Sequence, residues 1–287
     1  MGFNRSFVQE RIAAPIERAQ ALDRIAEPLQ EAARRVVPED SAAKELLSGT
    51  WLGHPLHPVL TDVVVGAWTS ASILDLLGER GDAADELVAA GVAAALPAAL
   101  SGWSDWAELR GGSRRVGTVH AVGNVASISL QALSLLLRRR ERRAAGTALS
   151  LAALAAGGFS AWLGGHLSFG RGVGVDQTVF EDPPTTWTSV IDEDKLAEGE
   201  PVRRSAQGTG VLLVRHRGEV HALVDRCSHR GCSLSEGSFD GSAITCPCHG
   251  SRFGVDGRLL RGPATASQPV LETRVRAGRV EVRAGRG

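Results

Sequence analysis

All four cysteines of the 287-residue chain fall in two short motifs, Cys227-Ser228-His229-Arg230-Gly231-Cys232 and Cys246-Pro247-Cys248-His249-Gly250-Ser251. Each motif sets a thiol close to an imidazole, so two loops would each offer one sulfur and one nitrogen ligand. A two-iron cluster held by cysteines on one iron and histidines on the other needs this donor set. Its neutral imidazoles reduce the negative charge and raise the reduction potential. A four-coordinate zinc site is the competing chemistry, because Cys and His serve zinc equally well and the spacing does not name the metal.

The surroundings of the motifs argue against zinc. The run CPCHGS, the pair Gly231-Cys232 and the triplet Gly262-Pro263-Ala264 together resemble the Rieske iron-sulfur protein family, over about the last third of the chain. The resemblance implies a small all-β domain holding a [2Fe-2S] cluster on Cys227, His229, Cys246 and His249. It further implies a disulfide between Cys232 and Cys248, a hydrogen bond from Ser251 to a bridging sulfide, and a covering loop at Gly262-Pro263-Ala264. Two residues depart from the high-potential members of cytochrome bc complexes. Phe253 replaces a tyrosine whose hydroxyl favours the reduced cluster, which lowers the expected potential within a range of roughly −150 to +300 mV. Arg230 replaces an apolar residue of the quinol-docking surface; it is equally well read as a solvated loop residue.

Strand-like runs at 210–216, 219–225, 271–276 and 279–283 fit that β domain, and Ala277-Gly278 supplies a tight turn between the last two. Rieske oxygenases add a mononuclear iron held by two histidines and a carboxylate downstream. No histidine follows His249 here, so a catalytic oxygenase subunit is excluded. His216 and His221 lie on predicted strands and read as surface residues.

The rest of the chain must position this domain. With 43% hydrophobic residues and no net formal charge, the sequence lacks the basic excess of a nucleic-acid binder. Composition divides it into an amphipathic helical segment at 1–50, a four-helix transmembrane domain at 51–166, a linker at 167–186 and the Rieske domain at 187–287. The expected fold class is therefore α plus β: N-terminal helices and a membrane bundle followed by an all-β domain. Residues 1–10 contain no apolar core of a secretory signal, and Arg34-Arg35 lacks the hydrophobic run of a twin-arginine signal. In the first segment Ile12, Ile16, Leu22, Ile25, Leu29 and Val36 predict an amphipathic helix, broken near Pro28 and Pro38, that lies on the membrane or on the Rieske domain.

Apolar segments at 59–78, 86–103, 117–137 and 144–165 each approach the ~20 residues that span a bilayer. Their alanine content, together with Asp62, Asp75 and Asn124, keeps a soluble bundle open. Membrane features are the small residues Gly157, Ala161 and Gly165, tryptophans 51, 103, 106 and 162 near segment ends, and the charged run RRRERR at 138–143. HPLHP at 54–58, SGWSDW at 101–106 and GGHLSFGRGVGVD at 164–176 resemble an uncharacterised bacterial family of four-span membrane domains, which implies no activity.

Antiparallel spans would gather His54, His57, His120, His166, Trp103 and Trp106 on one membrane side, with the domain that follows the fourth span. Asp62 is the nearest intramembrane carboxylate. His120, Asn124, Ser127 and Gln131 form a polar stripe expected to face the bundle interior. Three readings of the histidines stand: haem or metal ligands, a quinone or proton site, or structural helix-end residues. The run RRRERR favours an external Rieske domain by the positive-inside tendency. Arg110, Arg114, Arg115, Arg171 and the want of an export signal favour a cytoplasmic one, which is the expectation adopted. The expected function is a multi-pass cell-membrane protein carrying single electrons between a membrane partner, quinone or haem, and a redox partner protein. The competing class is a redox sensor in which the cluster is regulatory or structural.

Overall fold

The computed structural model describes residues 9–78 and 82–285, so the reading of residues 1–10 falls mostly outside it. The chain forms two compact units. One comprises the residues up to Val37 together with Leu56–Val173, and the other comprises Pro38–Pro55 together with Gly174 onward. Residues 38–55, which composition assigns to the helical part, thus fold with the β unit.

The first unit holds helices α1 (Ala14–Arg18) and α2 (Asp23–Val36); α3 (Ala42–Ser48) belongs to the second unit; the first unit resumes with α4 (Leu56–Leu76), α5 (Ala83–Trp106), α6 (Gly111–Arg139) and α7 (Arg143–Gly165). The helices α4 to α7 are long and apolar enough to cross a membrane. Their outward side chains include Val63, Ile73, Leu96, Val122, Leu133 and Phe159, all exposed, whereas Ser101, Ser127, Gln131, Ser134, Ser150 and Ser160 are buried. An apolar outside around a polar, small-residue inside suits lipid and would be unstable in water.

Close helix approach explains the interior. A Cβ on Gly91 would stand 2.2 Å from the Trp68 indole nitrogen, which donates to the Val88 carbonyl at 3.4 Å. On α7 the small residues that meet α6 are Gly157, Ser160 and Gly164, against Ser127, Gly123 and His120 respectively. Ala161 of the expected small-residue series is exposed instead. Ser127 and Ser134 donate to the carbonyls of Ala153 (2.8 Å) and Gly146 (2.6 Å), and Ser150 donates to Gln131 Oε1 at 2.9 Å. The polar stripe of α6 therefore faces inward, as its spacing predicts, and it continues through Ser134 to Arg138.

Arg138 ends that stripe in a charge cluster drawn from all four long helices. Its Nη1 donates to Asp75 Oδ1 of α4 at 2.9 Å and to Asp85 Oδ1 of α5 at 3.0 Å, while Nε reaches Ser134 Oγ at 3.1 Å. Arg143 of α7 stands 3.6 Å from Asp85 and 3.9 Å from Asp75. Two positive and two negative groups balance, and the Arg138 and Asp75 side chains are almost wholly buried.

The N-terminal helices correct one expectation and add a contact. Pro28 lies inside α2 without breaking it, because a helix loses one hydrogen bond there and keeps the rest; the break falls at Ala19. Helix α2 also packs on the bundle through Ala26, Gln30 and Ala33, leaving Ile25, Leu29 and Val36 exposed. Gln30 Nε2 donates to the carbonyls of Trp106 (2.8 Å) and Leu109 (2.9 Å), and Arg34 donates to Ala107 at 2.7 Å. These side chains add donors to carbonyls at and just beyond the end of α5. Asp23 is held by Arg115 (2.6 Å) and Arg114 (2.9 Å), and the Arg115 hydrogen bond pulls its carboxyl below the usual range against the opposing effect of burial.

The second unit contains strands β1 (Thr188–Asp192), β2 (Val202–Ala206), β3 (Thr209–His216), β4 (Glu219–Val224), β5 (Ser238–Phe239), β6 (Ala243–Thr245), β7 (Arg252–Gly254), β8 (Leu259–Arg261), β9 (Val270–Arg276) and β10 (Arg279–Ala284). They form a six-stranded sheet ordered β1-β10-β9-β4-β3-β2 and a four-stranded sheet ordered β5-β6-β7-β8, with antiparallel pairs throughout. Two-residue hairpins at Arg217-Gly218 and Ala277-Gly278 take positive φ at both positions, which matches strand twist. Alternation along β3 sends Val211 and Leu213 to one core and Leu212 and Val214 to another. The second core also contains Cys227, Cys246 and Phe253.

Replacing Arg138 by Met should leave buried Asp75 with only the longer contact to Arg143 at 3.9 Å. The expected loss is about 3–5 kcal/mol, read as a lower denaturation midpoint of the detergent-solubilised protein; an unchanged midpoint would deny the cluster a stabilising role.

Candidate functional site

The two cysteine motifs leave the ends of β4 and β6 as loops with the same backbone design. In the first, Cys227 N–H donates to Cys232 O at 2.8 Å and Gly231 N–H donates to Cys227 O at 2.8 Å; in the second, Cys246 N–H donates to Ser251 O at 2.8 Å and Gly250 N–H donates to Cys246 O at 3.1 Å. Gly231 and Gly250 take φ of 73° and 72°, a left-handed conformation natural to glycine. Each loop thus turns back on its own cysteine, carrying an imidazole on its arc.

The loops bring like ligand to like. Cys227 and Cys246 are buried free thiols in mutual hydrogen-bond contact. That contact, and then burial, pushes the Cys227 thiol up, while the same hydrogen bond pulls Cys246 down to about 7. The His229 and His249 rings meet edge to face with centroids 5.1 Å apart. Two buried sulfurs sharing a proton form a site that a cation relieves, and paired imidazoles add neutral nitrogen donors. The donor chemistry fits a cluster with one cysteine-held and one histidine-held iron. Cys232 and Cys248 form a disulfide that ties the loops together.

A third segment closes over them. Ala264 N–H donates to Ser251 Oγ at 3.0 Å, and Ser228 Oγ donates to Ala266 O at 3.0 Å. Sequence reasoning did not identify Gln268, which is buried. Its Oε1 accepts from Ser228 N–H at 3.2 Å, and its Nε2 donates to Val224 O and Arg226 O, each at 2.7 Å. Asp225 was missed as well. Its carboxylate accepts from Ser235 N–H at 2.8 Å, Ser233 Oγ at 2.5 Å and Arg203 Nε at 2.9 Å, pinning the end of β4 to the chain after Cys232. Neither residue offers a local signal: Asp225 stands two positions before Cys227, and its loop partners lie eight and ten residues on. Phe253 is fully buried and packs in the core that contains both free thiols.

In the helical unit, His57 and His120 come together with ring centroids 6.1 Å apart and planes at 83°. His57 Nδ1–H donates to Ala98 O at 2.8 Å, and His120 Nδ1–H donates to Ser160 O at 2.7 Å. Asn124 Nδ2 donates to His120 Nε2 at 3.0 Å. His166 takes another setting, with Nε2 2.9 Å from Glu17 Oε1 and its ring stacked on Trp162. Asp62 is exposed on α4, because five residues beyond His57 turn a helix about 140° away. His54 is exposed, contacts the Pro55 carbonyl and belongs to the segment folded with the β unit.

Comparison with known proteins follows this division. Residues 186–274 match the Rieske [2Fe-2S] domain family, and residues 53–177 match the predicted membrane protein family DUF2231. The chain is 36% identical over 98 residues to ferredoxin CarAc of Metapseudomonas resinovorans, covering 33% of this chain and 92% of that protein. It is 42% identical over 99 residues to cytochrome b6-f complex iron-sulfur subunit 3 of Nostoc sp., covering 34% of this chain and 48% of the relative. Identity to the oxygenase component of chloroacetanilide N-alkylformylase of Rhizorhabdus wittichii is 40%, over 27% of this chain and 22% of that protein. The chain therefore spans less than a quarter of the oxygenase component and about half of the b6-f subunit. Among solved structures, the ferredoxin of carbazole 1,9a-dioxygenase from Nocardioides aromaticivorans is similar at 29% identity and TM-score 0.34, covering 35% of this chain and 99% of that one.

Converting Cys232 and Cys248 to serine frees a loop of sequence separation 16. The β unit should lose about 3 kcal/mol, measured as a lower midpoint of its thermal transition. Phe253→Tyr places a hydroxyl beside the thiols; redox titration should give a higher midpoint potential, since a donor near a ligand sulfur favours the reduced state.

Proposed function

Because this chain belongs to the Rieske [2Fe-2S] proteins and carries a DUF2231 membrane domain ahead of that part, we propose that it is a membrane-anchored carrier of single electrons. Cys227 and Cys246 would hold one iron of the cluster, and His229 and His249 the other. The cluster, when bound, supplies a one-electron couple at a potential raised by its neutral imidazole ligands. The observation that carries this reading is the pair of twin loops, which assembles two buried thiols and two imidazoles from opposite sides. Ser251 accepts from Ala264 N–H, leaving its hydroxyl proton to donate toward a sulfide. The disulfide and Gln268 keep the loops in register when the charge between them changes.

The partner on the membrane side is proposed to be a quinol at the histidine end of the bundle. With their Nδ1 protons given to backbone carbonyls, both imidazoles have only Nε2 left to accept a proton. The His120 lone pair is occupied by Asn124, so bis-histidine haem ligation would first have to break that bond. His57 is the residue of the pair suited to accept a quinol proton. The other partner is a soluble redox protein, and the Rieske domain is proposed to face the cytoplasm.

Purified protein in detergent should contain iron and acid-labile sulfide in equal amounts and give a Rieske-type paramagnetic resonance signal after dithionite reduction. Cys246→Ser should abolish that signal. Bound zinc without sulfide would overturn the cluster assignment. Reduction by a quinol analogue that His57→Ala slows at least tenfold, with the cluster signal retained, supports the quinol site; equal rates would remove it.

A further inference from the structure

Residues 38–55 precede the first membrane helix, yet they fold with the β unit. Their local structure is well specified. Ser41 caps α3 by accepting from Lys44 N–H at 3.1 Å, and Gly49, at φ 80°, ends it in a left-handed turn. The chain then makes a short turn, Thr50–Leu52, closed by Gly53 at φ 82°. Between this strap and β8 lies a cavity of about 590 Å³ bordered by Leu46, Trp51, Leu259, Leu260, Thr265 and Ser267. The strap therefore stands off part of the strand, and two of its residues reach the chain beyond it.

Both grip the covering loop. Glu45 Oε1 accepts from Gly262 N–H at 3.3 Å, and Thr50 Oγ1 donates to Ala264 O at 3.1 Å. A Cβ on Gly262 would stand 2.1 Å from Thr50 Oγ1, so only glycine permits this approach. The bonds continue inward. Ala264 N–H donates to Ser251 Oγ, and Ser251 O accepts from Cys246 N–H. An unbroken path runs from the Thr50 hydroxyl through two residues to the backbone of a free, buried cysteine.

We propose that Thr50, assisted by Glu45, is a positioning residue for the cluster pocket: by holding Ala264 it fixes the rotation of the Ser251 hydroxyl. This inference rests on the cluster reading above. With Ala264 held, the Ser251 lone pair is occupied and its proton is aimed away from the covering loop. Once Ala264 is released, the hydroxyl rotates and donates less to the reduced, more negative state. The midpoint potential must then fall.

The test uses the full chain in detergent, with redox titration of the cluster signal and hydrogen exchange at Ala264. Thr50→Val should lower the midpoint potential in the same direction as Ser251→Ala and speed exchange at Ala264, with iron content unchanged. Thr50→Ser, which keeps the hydroxyl, should restore both to the unaltered values. The double variant T50V/S251A should titrate no lower than S251A alone, because both act through one hydroxyl. Unchanged potential and exchange in T50V, or full additivity in the double variant, would overturn the proposal. If the unaltered chain gives no iron-sulfur signal, the cluster reading itself fails, while the exchange measurement still decides whether Thr50 holds the loop.

Discussion

Two buried sulfurs on separate loops have to be held side by side, and the architecture of the β unit answers to that requirement. Their sulfurs are in contact, yet two thiols repel once ionised, so that contact cannot by itself hold the loops of Cys227 and Cys246 together. The fold supplies the constraint from outside. Strands β3 and β4 are buried on both faces, with one face filling the larger core and the other, through Leu212, Val214 and Leu223, backing the loops. The disulfide joins the loops covalently, while Gln268 and Ser251 bond them to the third segment. The result is two thiols in contact and two imidazoles ring to ring, held in place by the protein itself.

The helical unit solves the opposite problem. Its exterior is apolar, so the hydrophobic effect cannot order the helices in lipid, and association relies on close contact and internal hydrogen bonds. Serines donating to carbonyls of the neighbouring helix, glycines opposite tryptophan and serine, and one charged residue from each long helix supply these. Such a bundle is specified by a few polar positions and not by its many aliphatic ones.

How much of this is readable in the sequence depends on how local the cause is. The cysteine and histidine motifs are legible because ligand residues stand close together in the chain, although their spacing does not name the metal. The long strands β3, β4, β9 and β10 fall within a residue of the runs read from alternation. Strands β5 to β8 have two or three residues each, too few for any period to register, and β1 and β2 were missed as well. Gln268 and Asp225 matter through backbone atoms distant in sequence or in another loop, so their neighbours do not reveal them. The first segment is the amphipathic helix its spacing predicts, with Ile25, Leu29 and Val36 left exposed while a face of smaller residues on α2 makes the contact with the bundle. Asp62 failed on helical geometry alone, since proximity in sequence is not proximity around a helix.

The two ends of the bundle differ in kind. At the end formed by Asp75, Asp85, Arg138 and Arg143, formal charges cancel and arginine cannot surrender its proton, so the cluster has one stable state. At the end formed by His57 and His120 the side chains are imidazoles, the one common group that changes charge near neutral pH. Their Nδ1 protons are committed to carbonyls of α5 and α7, so any proton gained must enter at Nε2 and leave the existing hydrogen bonds in place. Asn124 already donates to that atom of His120, and protonation there would set two donors against each other. His57 carries no such conflict. The two imidazoles therefore differ at the one ring atom left to take a proton, which is bonded at His120 and, among the described residues, unbonded at His57.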